Sequence, residues 1–448
     1  MNLRILLISF GFSLCALGQS AETPTLNVDS TYTLAQCIAI ALENNLDIRI
    51  QKEHQQIADN NASYAHAGGL PTVTIGAGVD GRNVSDYSTS TAGVYSETPA
   101  RNTYLGNAGL NVSWTIFEGL KVFSTLDRLQ ELKQMGDLSL RMRVEDVIAN
   151  VARSYFTIVR ENIRKDNLKA TLELSDERLK IVRQQFHLGE ASRLDLLQAE
   201  VDYNNDNYAF VKQQEAIHTY RLNLNTLLAL REIDFDLQIA HDSITLAELG
   251  TQADMLDKVM VMNAEILAAA SDVKVKEQDL KIINARFFPT LKFKGGYGYD
   301  GTWYDVPPTD NSQRLTLNYG LTLSMNLFDR GNAIRSKRNA QHALNAMHLE
   351  REKMLQKIES EVLNLWMAYE NNKQLIALEK VNQESARSLY QSSLDRYRLG
   401  ELSGIELRTA QNNLLKAEER FSQAQYDAKM IEMSLLLLSG EIVNLSRG

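Results

Sequence analysis

Two hydrophobic rhythms alternate along this chain. In 72–80, Val73, Ile75, Ala77 and Val79 alternate with Thr72, Thr74, Gly76 and Gly78. In 107–116, Ala108, Leu110, Val112, Trp114 and Ile116 alternate with Asn107, Gly109, Asn111, Ser113 and Thr115. The same period of two returns at Leu291, Phe293, Tyr297 and Tyr299, and again from Leu315 through Leu327. It predicts strands with one apolar face and one small or polar face. The stretches 82–103 and 302–313, rich in Ser, Thr, Tyr and Pro, are expected to be loops joining strands within each hairpin.

After each strand pair the rhythm changes to spacings of three and four. Val144, Val147, Ile148, Val151, Tyr155 and Ile158 mark one side of a helix. None of the six prolines lies between 100 and 288 or after 308. Gly136 is the only glycine from Leu120 to His187, and Asn332 to Leu399 has none. Proline costs about 3 kcal/mol inside a helix, so these tracts permit very long helices. At 1.5 Å per residue each spans on the order of 100 Å and needs lateral neighbours.

Both long tracts end in the same phrase. Phe186-His187-Leu188-Gly189-Glu190-Ala191-Ser192-Arg193-Leu194-Asp195-Leu196 recurs as Tyr397-Arg398-Leu399-Gly400-Glu401-Leu402-Ser403-Gly404-Ile405-Glu406-Leu407, 211 positions later. The same offset relates Phe117-Glu118-Gly119 to Phe328-Asp329-Arg330, and Val151 and Tyr155 to Val362 and Trp366. A constant offset at separated markers means a duplicated unit. Gly189 and Gly400 suit the left-handed residue that ends a helix. Ser192 with Asp195, and Ser403 with Glu406, read as capping boxes that open returning helices over about 192–230 and 403–439.

The strands fit either a half-buried soluble sheet or a membrane barrel, whose strands need about 9–11 residues. Secretion, strand length and the aromatics Trp114, Tyr297, Tyr299 and Tyr319 favour the barrel. Four strands cannot close, since the smallest membrane barrels have about eight, and open edges do not survive in lipid. Several chains must then share one barrel. The pattern allows two, three or four copies, and three would give twelve strands and twelve helices.

Composition narrows the function. With net charge −9 and 23% charged residues, no basic nucleic-acid face is indicated. Met1-Asn2-Leu3-Arg4 followed by an apolar run to Leu17 reads as a secretory signal over 1–18, cleaved between Gly18 and Gln19. Lipidation of Cys15 is disfavoured by Leu14 before it, and Cys37 alone then remains, so no internal disulfide is expected. No later apolar run is long enough for a spanning helix. Gly76-Ala77-Gly78-Val79-Asp80-Gly81 and Gly296-Tyr297-Gly298-Tyr299-Asp300-Gly301 fit G-x-G-x-x-G, yet neither opens a helix, as a dinucleotide site requires. The seven histidines show no paired metal spacing. No catalytic constellation, cofactor or metal site is predicted.

The chain resembles the TolC-like outer membrane efflux proteins, or outer membrane factors, over nearly its whole mature length. The resemblance rests on Leu34-Ala35-Gln36-Cys37 through Ala41-Leu42-Glu43-Asn44-Asn45-Leu46, and on prolines entering the first strand of each half at Pro71 and Pro289. It rests further on the strand-to-helix junctions and, most specifically, on the duplicated tips. It implies an α+β membrane fold in a homotrimer, with long helical hairpins forming a periplasmic tube. A transmembrane β-barrel, to which each chain gives four strands, would continue the tube. The divisions are then 1–18 signal, 19–70 N-terminal segment and first helices, 71–117 first barrel hairpin and 118–230 first helical hairpin. They continue as 231–263 equatorial segment, 264–288 helix of the second repeat, 289–328 second barrel hairpin, 329–440 second helical hairpin and 441–448 tail.

The resemblance implies a passive, non-enzymatic outer membrane duct of a tripartite efflux system, embedded in outer membrane lipid. It would export drugs, metals or other toxic compounds through a periplasmic adaptor, driven by an inner membrane pump. A type I protein secretion duct is the alternative within this class. A secreted coiled-coil stalk without a pore is the alternative outside it, and a periplasmic adaptor is disfavoured by the two hairpins and paired strands. Asp195 and Glu406 match family acids near the periplasmic entrance, where three chains would gather six carboxylates; both equally suit plain helix capping. Leu402 and Thr409 stand where some members carry arginine and a second acid, so a closed-gate salt bridge is not expected from this pattern. Leu188, Gly189, Glu190, Leu399, Gly400 and Glu401 are the candidates for adaptor contact, with turn geometry as the plainer reading.

Overall fold

Capping, more than any single core, decides where this chain turns. In the computed structural model, which describes residues 31–240, 243–305 and 311–446, eight helices and six strands follow one another as two copies of a single plan. The signal segment with Gly18 and Gln19 lies outside the described residues. The order is β1 (Thr31–Tyr32), α1 (Leu34–Asn44), α2 (Leu46–Asn61), β2 (Thr72–Thr89), β3 (Tyr95–Glu118), α3 (Lys121–Leu188), α4 (Arg193–Leu227) and β4 (Gln238–Ile239). Then come α5 (Gln252–Met262), α6 (Ala264–Asn284), β5 (Thr290–Tyr304), β6 (Ser312–Ser324), α7 (Asn332–Arg398) and α8 (Gly404–Leu438).

The long helices α3 and α7 have 68 and 67 residues. Their largest apolar clusters lie near mid-length, with smaller ones toward the tips. At mid-length Val147, Ile148, Val151, Tyr155 and Ile158 of α3 bury against Cys37, Ile38 and Ala41 of α1 and against Leu224, Leu228 and Leu237. The second copy repeats this with Ile358, Val362 and Tyr369 of α7 against Met255 and Val259 of α5, and Leu435 of α8. The inter-repeat segment is tied to the second knot. Lys429 Nζ donates to Glu432 Oε1 at 2.7 Å and to the Thr245 carbonyl at 3.0 Å, and the Ala247 amide donates to Glu432 Oε2 at 3.0 Å.

Two asparagines brace these knots in parallel. Asn45 Oδ1 accepts the Asp47 and Ile48 amides and so starts α2, while its Nδ2 donates to the Leu227 carbonyl at the end of α4 at 2.8 Å. Asn263 Oδ1 accepts the Ile266 amide at 3.1 Å and starts α6, while its Nδ2 donates to the Leu438 carbonyl at the end of α8 at 2.9 Å. Each side chain closes one helix and holds the end of another, because an amide offers both an acceptor and donors.

Where strand becomes helix, the chain turns through two successive left-handed residues. These are Gly119 (φ 56°) and Leu120 (φ 65°) in the first copy, and Arg330 (φ 60°) and Gly331 (φ 75°) in the second. Gly119 has a second reason to be glycine: a Cβ there would lie 2.6 Å from the Ala285 carbonyl oxygen.

The four long strands form one antiparallel sheet in the order β2-β3-β5-β6. Its register aligns like with like. Ile75, Leu110, Tyr297 and Leu317 form one row across all four strands, and Thr74, Asn111, Gly296 and Asn318 form the next. The strands run well beyond the expected stretches. Most of 82–103, expected as loop, pairs as strand, and 302–304 and 312–313 do too. Thr, Tyr and Val favour extended pairing wherever a neighbouring strand offers a ladder, so the Ser/Thr-rich composition misled. A register shift between Val84 and Asp86 is the one irregularity in the β2–β3 ladder.

Candidate functional site: hairpin tips and the walls that lead from them

Each tip is built from hydrogen bonds that its phrase encodes. At the first, Gly189 (φ 79°) ends α3, and the Glu190 amide reaches back to the Gln185 carbonyl at 2.8 Å. At the second, Gly400 (φ 77°) follows α7, and the Glu401 amide reaches the Arg396 carbonyl at 2.9 Å. A left-handed residue closing such a bond is the Schellman stop. The return helix then starts by a capping box. Asp195 Oδ2 accepts the Ser192 amide at 3.0 Å and the Ser192 hydroxyl at 2.6 Å, and Ser192 Oγ accepts the Asp195 amide. Glu406 Oε2 accepts the Ser403 amide at 3.0 Å and hydroxyl at 2.8 Å, and Ser403 Oγ accepts the Glu406 amide.

These bonds shift both acids. The Ser192 hydroxyl and then its amide hold the Asp195 carboxyl below its ordinary range, and the Ser403 amide and hydroxyl do the same to Glu406. Both side chains are exposed and ionised near neutrality. The cap bonds land on one oxygen of each carboxylate, so the negative charge still faces water. Around them sit large apolar side chains in solvent: Leu188, Leu194, Leu399 and Ile405, again in repeat-related pairs. Glu190 and Glu401 are exposed beside them, Glu401 3.7 Å from Arg396.

Sequence reading missed an ionic cluster just above the tips. Arg408 of α8 makes a two-pronged bond to Asp206 of α4, at 2.6 and 2.7 Å. Ser175 of α3 donates its hydroxyl to the same Asp206, and Gln411 Nε2 donates to the Thr171 carbonyl at 3.0 Å. One turn nearer the tip, Arg178 Nη2 donates to Asp202 at 2.7 Å, and both residues are buried. The partners are up to 240 positions apart, so no local motif reveals them. A signal did exist. The repeat mates of Arg178, Asp202, Asp206 and Arg408 are Leu389, Asn413, Ala417 and Leu197, so the charge appears in one copy only.

At the other end, the sheet presents two unlike walls. On one face Ile75, Leu110, Tyr297 and Leu317 are 85%, 44%, 53% and 68% exposed. A continuous apolar face left in solvent marks a surface that another apolar phase or partner covers. The opposite face carries Asp80, Asn107, Asn111, Asp300, Thr316 and Asn318 among glycines. The glycines let the amides lie flat on the wall: a Cβ on Gly296 would be 2.5 Å from Asn318 Oδ1 and 2.9 Å from Asn111 Oδ1. The two G-x-G-x-x-G runs therefore sit in mid-strand, far from any helix start.

The sheet and the helices also share an outline. Among the described residues, β2 and β6 each have one unpaired edge. Beneath them α2 and α4 pack chiefly on α3, and α7 on α6 and α8, so α2 and α4 flank one side and α7 the other.

Residues 37–230 and 255–441 match the model of the outer membrane efflux protein family. Outer membrane protein TolC of Vibrio cholerae serotype O1 is 23% identical over 343 residues, 74% of this chain and 76% of that protein. Alkaline protease secretion protein AprF of Pseudomonas aeruginosa is 20% identical over 400 residues, 87% of this chain and 80% of that one. The crystal structure of the Campylobacter jejuni CmeC outer membrane channel superposes with a TM-score of 0.76 at 18% identity, covering 98% of this chain and 94% of that one.

Proposed function

Because the chain belongs to the outer membrane efflux protein family, we propose that three copies form the passive export duct of a tripartite efflux pump. Membership makes it an outer membrane efflux channel with a helical tube in the periplasm. The cargo is small molecules such as drugs, metals and other toxic compounds, handed over by a periplasmic adaptor and driven by an inner membrane pump.

The observation that carries the reading is the sheet with one apolar face in solvent and two free edges. An apolar row such as Ile75–Leu110–Tyr297–Leu317 fits lipid, and a four-stranded sheet in lipid must close on further copies. With three copies, hairpins 71–117 and 289–328 make a twelve-stranded barrel, lined by the Asn, Asp and Thr side chains of the other face. The helical hairpins 118–230 and 329–440 continue it, and 231–263 belts the tube at mid-length. A pore-less secreted stalk would leave that apolar face in water. Apolar surface kept from burial forfeits ~25 cal/mol per Å², so such exposure is costly.

At the tips, six carboxylates from Asp195 and Glu406 would ring the entrance and concentrate cations there. The capping bonds hold each acid in place and keep it ionised, so the cap and the ring are one arrangement. Leu188, Gly189 and Glu190, with Leu399, Gly400 and Glu401, offer the adaptor paired apolar and acidic contacts in six copies.

Single-channel recording on the reconstituted oligomer tests this. The wild type is expected to prefer cations, and Asp195→Asn with Glu406→Gln to lose most of that preference. Unchanged selectivity in the double variant removes the ring from the account. Crosslinking from Glu190→Cys or Glu401→Cys to a co-expressed adaptor tests the contact, and a clean negative beside active efflux removes it. One relative supports a second cargo: AprF is a protease secretion protein, and it aligns over 87% of this chain. On that reading the duct passes unfolded polypeptide, and its loss would abolish secretion while leaving drug susceptibility unchanged.

A further inference from the structure

The chain carries a net charge of −9, yet one part of the sheet runs against that sign. It is the polar face at the end where β3 passes into α3 and α6 leads into β5. Lys292 and Lys294 stand there on β5, both exposed, in a stretch that pairs with β6 without a shift from Thr290 to Thr302. Residues two apart share a face of a strand, so both lysines lie on the side of Gly296, where Asn111 and Asn318 lie across the ladder. Their Cα atoms are roughly 7 Å apart, close enough for two ammonium groups to meet on one anion.

The ladder surrounds them with hydroxyls. Thr115 and Thr322 flank Lys292, while Ser113 and Gly320 flank Lys294. Each hydroxyl has a proton to donate to an anion. Among the described residues, no carboxylate pairs with either lysine. On the helix side Glu118 is engaged by Lys121 at 2.9 Å, and Asp329 accepts the Ala333 amide at 2.7 Å. In the other direction the next acid on this face of β5 is Asp300, roughly 20 Å along the strand from Lys294 and opposite Arg314. The edge strands bring only Thr72, Thr74, Asn318, Gly320 and Thr322 to these rows, so a strand from a neighbouring copy adds no carboxylate there.

Two unneutralised ammonium groups among hydroxyl donors suit an anion that carries several charges. Lysine binds phosphate and carboxylate as a point charge, and a second charge on the ligand lets both lysines act at once. A lipid phosphate does not fit this place, because the lysines share no face with the apolar row of Ile75, Leu110, Tyr297 and Leu317.

We infer that Lys292 and Lys294, with the hydroxyls of Ser113, Thr115 and Thr322, form an anion-binding subsite on the inner wall of the duct. Its ligands are small organic anions bearing two or more phosphate or carboxylate groups. The subsite rests on the three-copy duct proposed above, in which six ammonium groups would circle the lumen where barrel meets tube. The duct would then show cargo opposite signs at its two ends. Asp195 and Glu406 set the preference for small cations at the tips, while the lysines hold a polyvalent anion in the barrel, where local positive charge raises its concentration.

Block of the reconstituted channel by inorganic tripolyphosphate tests the subsite. Added on the barrel side of a planar bilayer, it should reduce single-channel current at voltages that draw anions inward. From the tip side, where the acids repel it, the block should be weaker. Lys292→Gln with Lys294→Gln should raise the half-blocking concentration by about tenfold or more, and Lys294→Gln alone should raise it by less. Lys292→Arg with Lys294→Arg should keep the block, and added salt should weaken it by screening. Conducting oligomers that tripolyphosphate does not block, or that lose no block in the glutamine pair, overturn the subsite and leave the duct standing. Block lost instead in Arg82→Gln with Arg101→Gln puts the anion at the far end of the barrel and overturns the subsite as well. A single-chain particle that conducts nothing overturns both.

Discussion

Replacing Asn263 with alanine should loosen two helices that touch nowhere else through that side chain. The substitution removes the cap on Ile266 at the start of α6, which is worth about 1 kcal/mol. It also removes the donor to the Leu438 carbonyl at the end of α8. Asn263 is 5% exposed, so that carbonyl gains little water in exchange, at a further cost of roughly 1–2 kcal/mol. Together these give about 2–3 kcal/mol, or ~30- to 150-fold faster local opening, at tenfold per 1.4 kcal/mol. Hydrogen exchange read by mass spectrometry would report this at the first turn of α6 and the last turn of α8, with the tips as an unaffected reference. Serine at 263 separates the two roles, because its hydroxyl can cap but is too short to reach α8. It should protect α6 nearly as well as asparagine does and leave α8 as loose as alanine does. Asn45 should behave alike toward α2 and α4. If serine and alanine loosen α6 equally, or the end of α8 is unmoved by either, the brace is not what holds these knots.

Other consequences follow from the same contacts. Arg408→Met alone should destabilise the tip region by about 3–5 kcal/mol by stranding Asp206, and adding Asp206→Leu should restore most of it, as read by urea unfolding. Burial pushes the Cys37 thiol up to about 12, so a maleimide should label it at pH 8 only after denaturation. The Asp195 and Glu406 carboxyls titrate lower folded than unfolded. Their capping contribution is therefore complete above the ordinary carboxylate range near pH ~4, and is lost as pH falls through the lowered folded values. Proteolysis at the starts of α4 and α8 should rise only in that acid window, and Ser192→Ala with Ser403→Ala should raise it already at neutral pH. On the sheet, Leu317→Asp should block membrane assembly, whereas Thr316→Asp, on the facing wall, should assemble and alter conductance, as outer membrane fractionation and recording would show.

Much of this architecture can be read along the chain because it is local or repeated. Gly189, Ser192 and Asp195 form a stop and a start within seven residues, and their recurrence 211 positions later marks the second hairpin. Alternation at Val73, Ile75, Ala77 and Val79 identifies a two-faced strand, though not its length. Tyr95 and Thr103 pair in the ladder although their surroundings read as loop. What stays hidden depends on distant partners. Asn45 and Asn263 look like ordinary capping residues until the Leu227 and Leu438 carbonyls are placed beside them. Asp206 looks like one more surface acid on α4 until Arg408 arrives from 202 positions away. Asp195 and Glu406 lie in between: their capping bonds are encoded locally, whereas a ring of six needs other chains.

The central claim is that several chains together close one membrane duct. Native mass spectrometry of protein extracted from the outer membrane tests it most directly. Three chains in one detergent-resistant particle is the predicted result. A single chain, or recovery of the protein in the soluble periplasm, would contradict it.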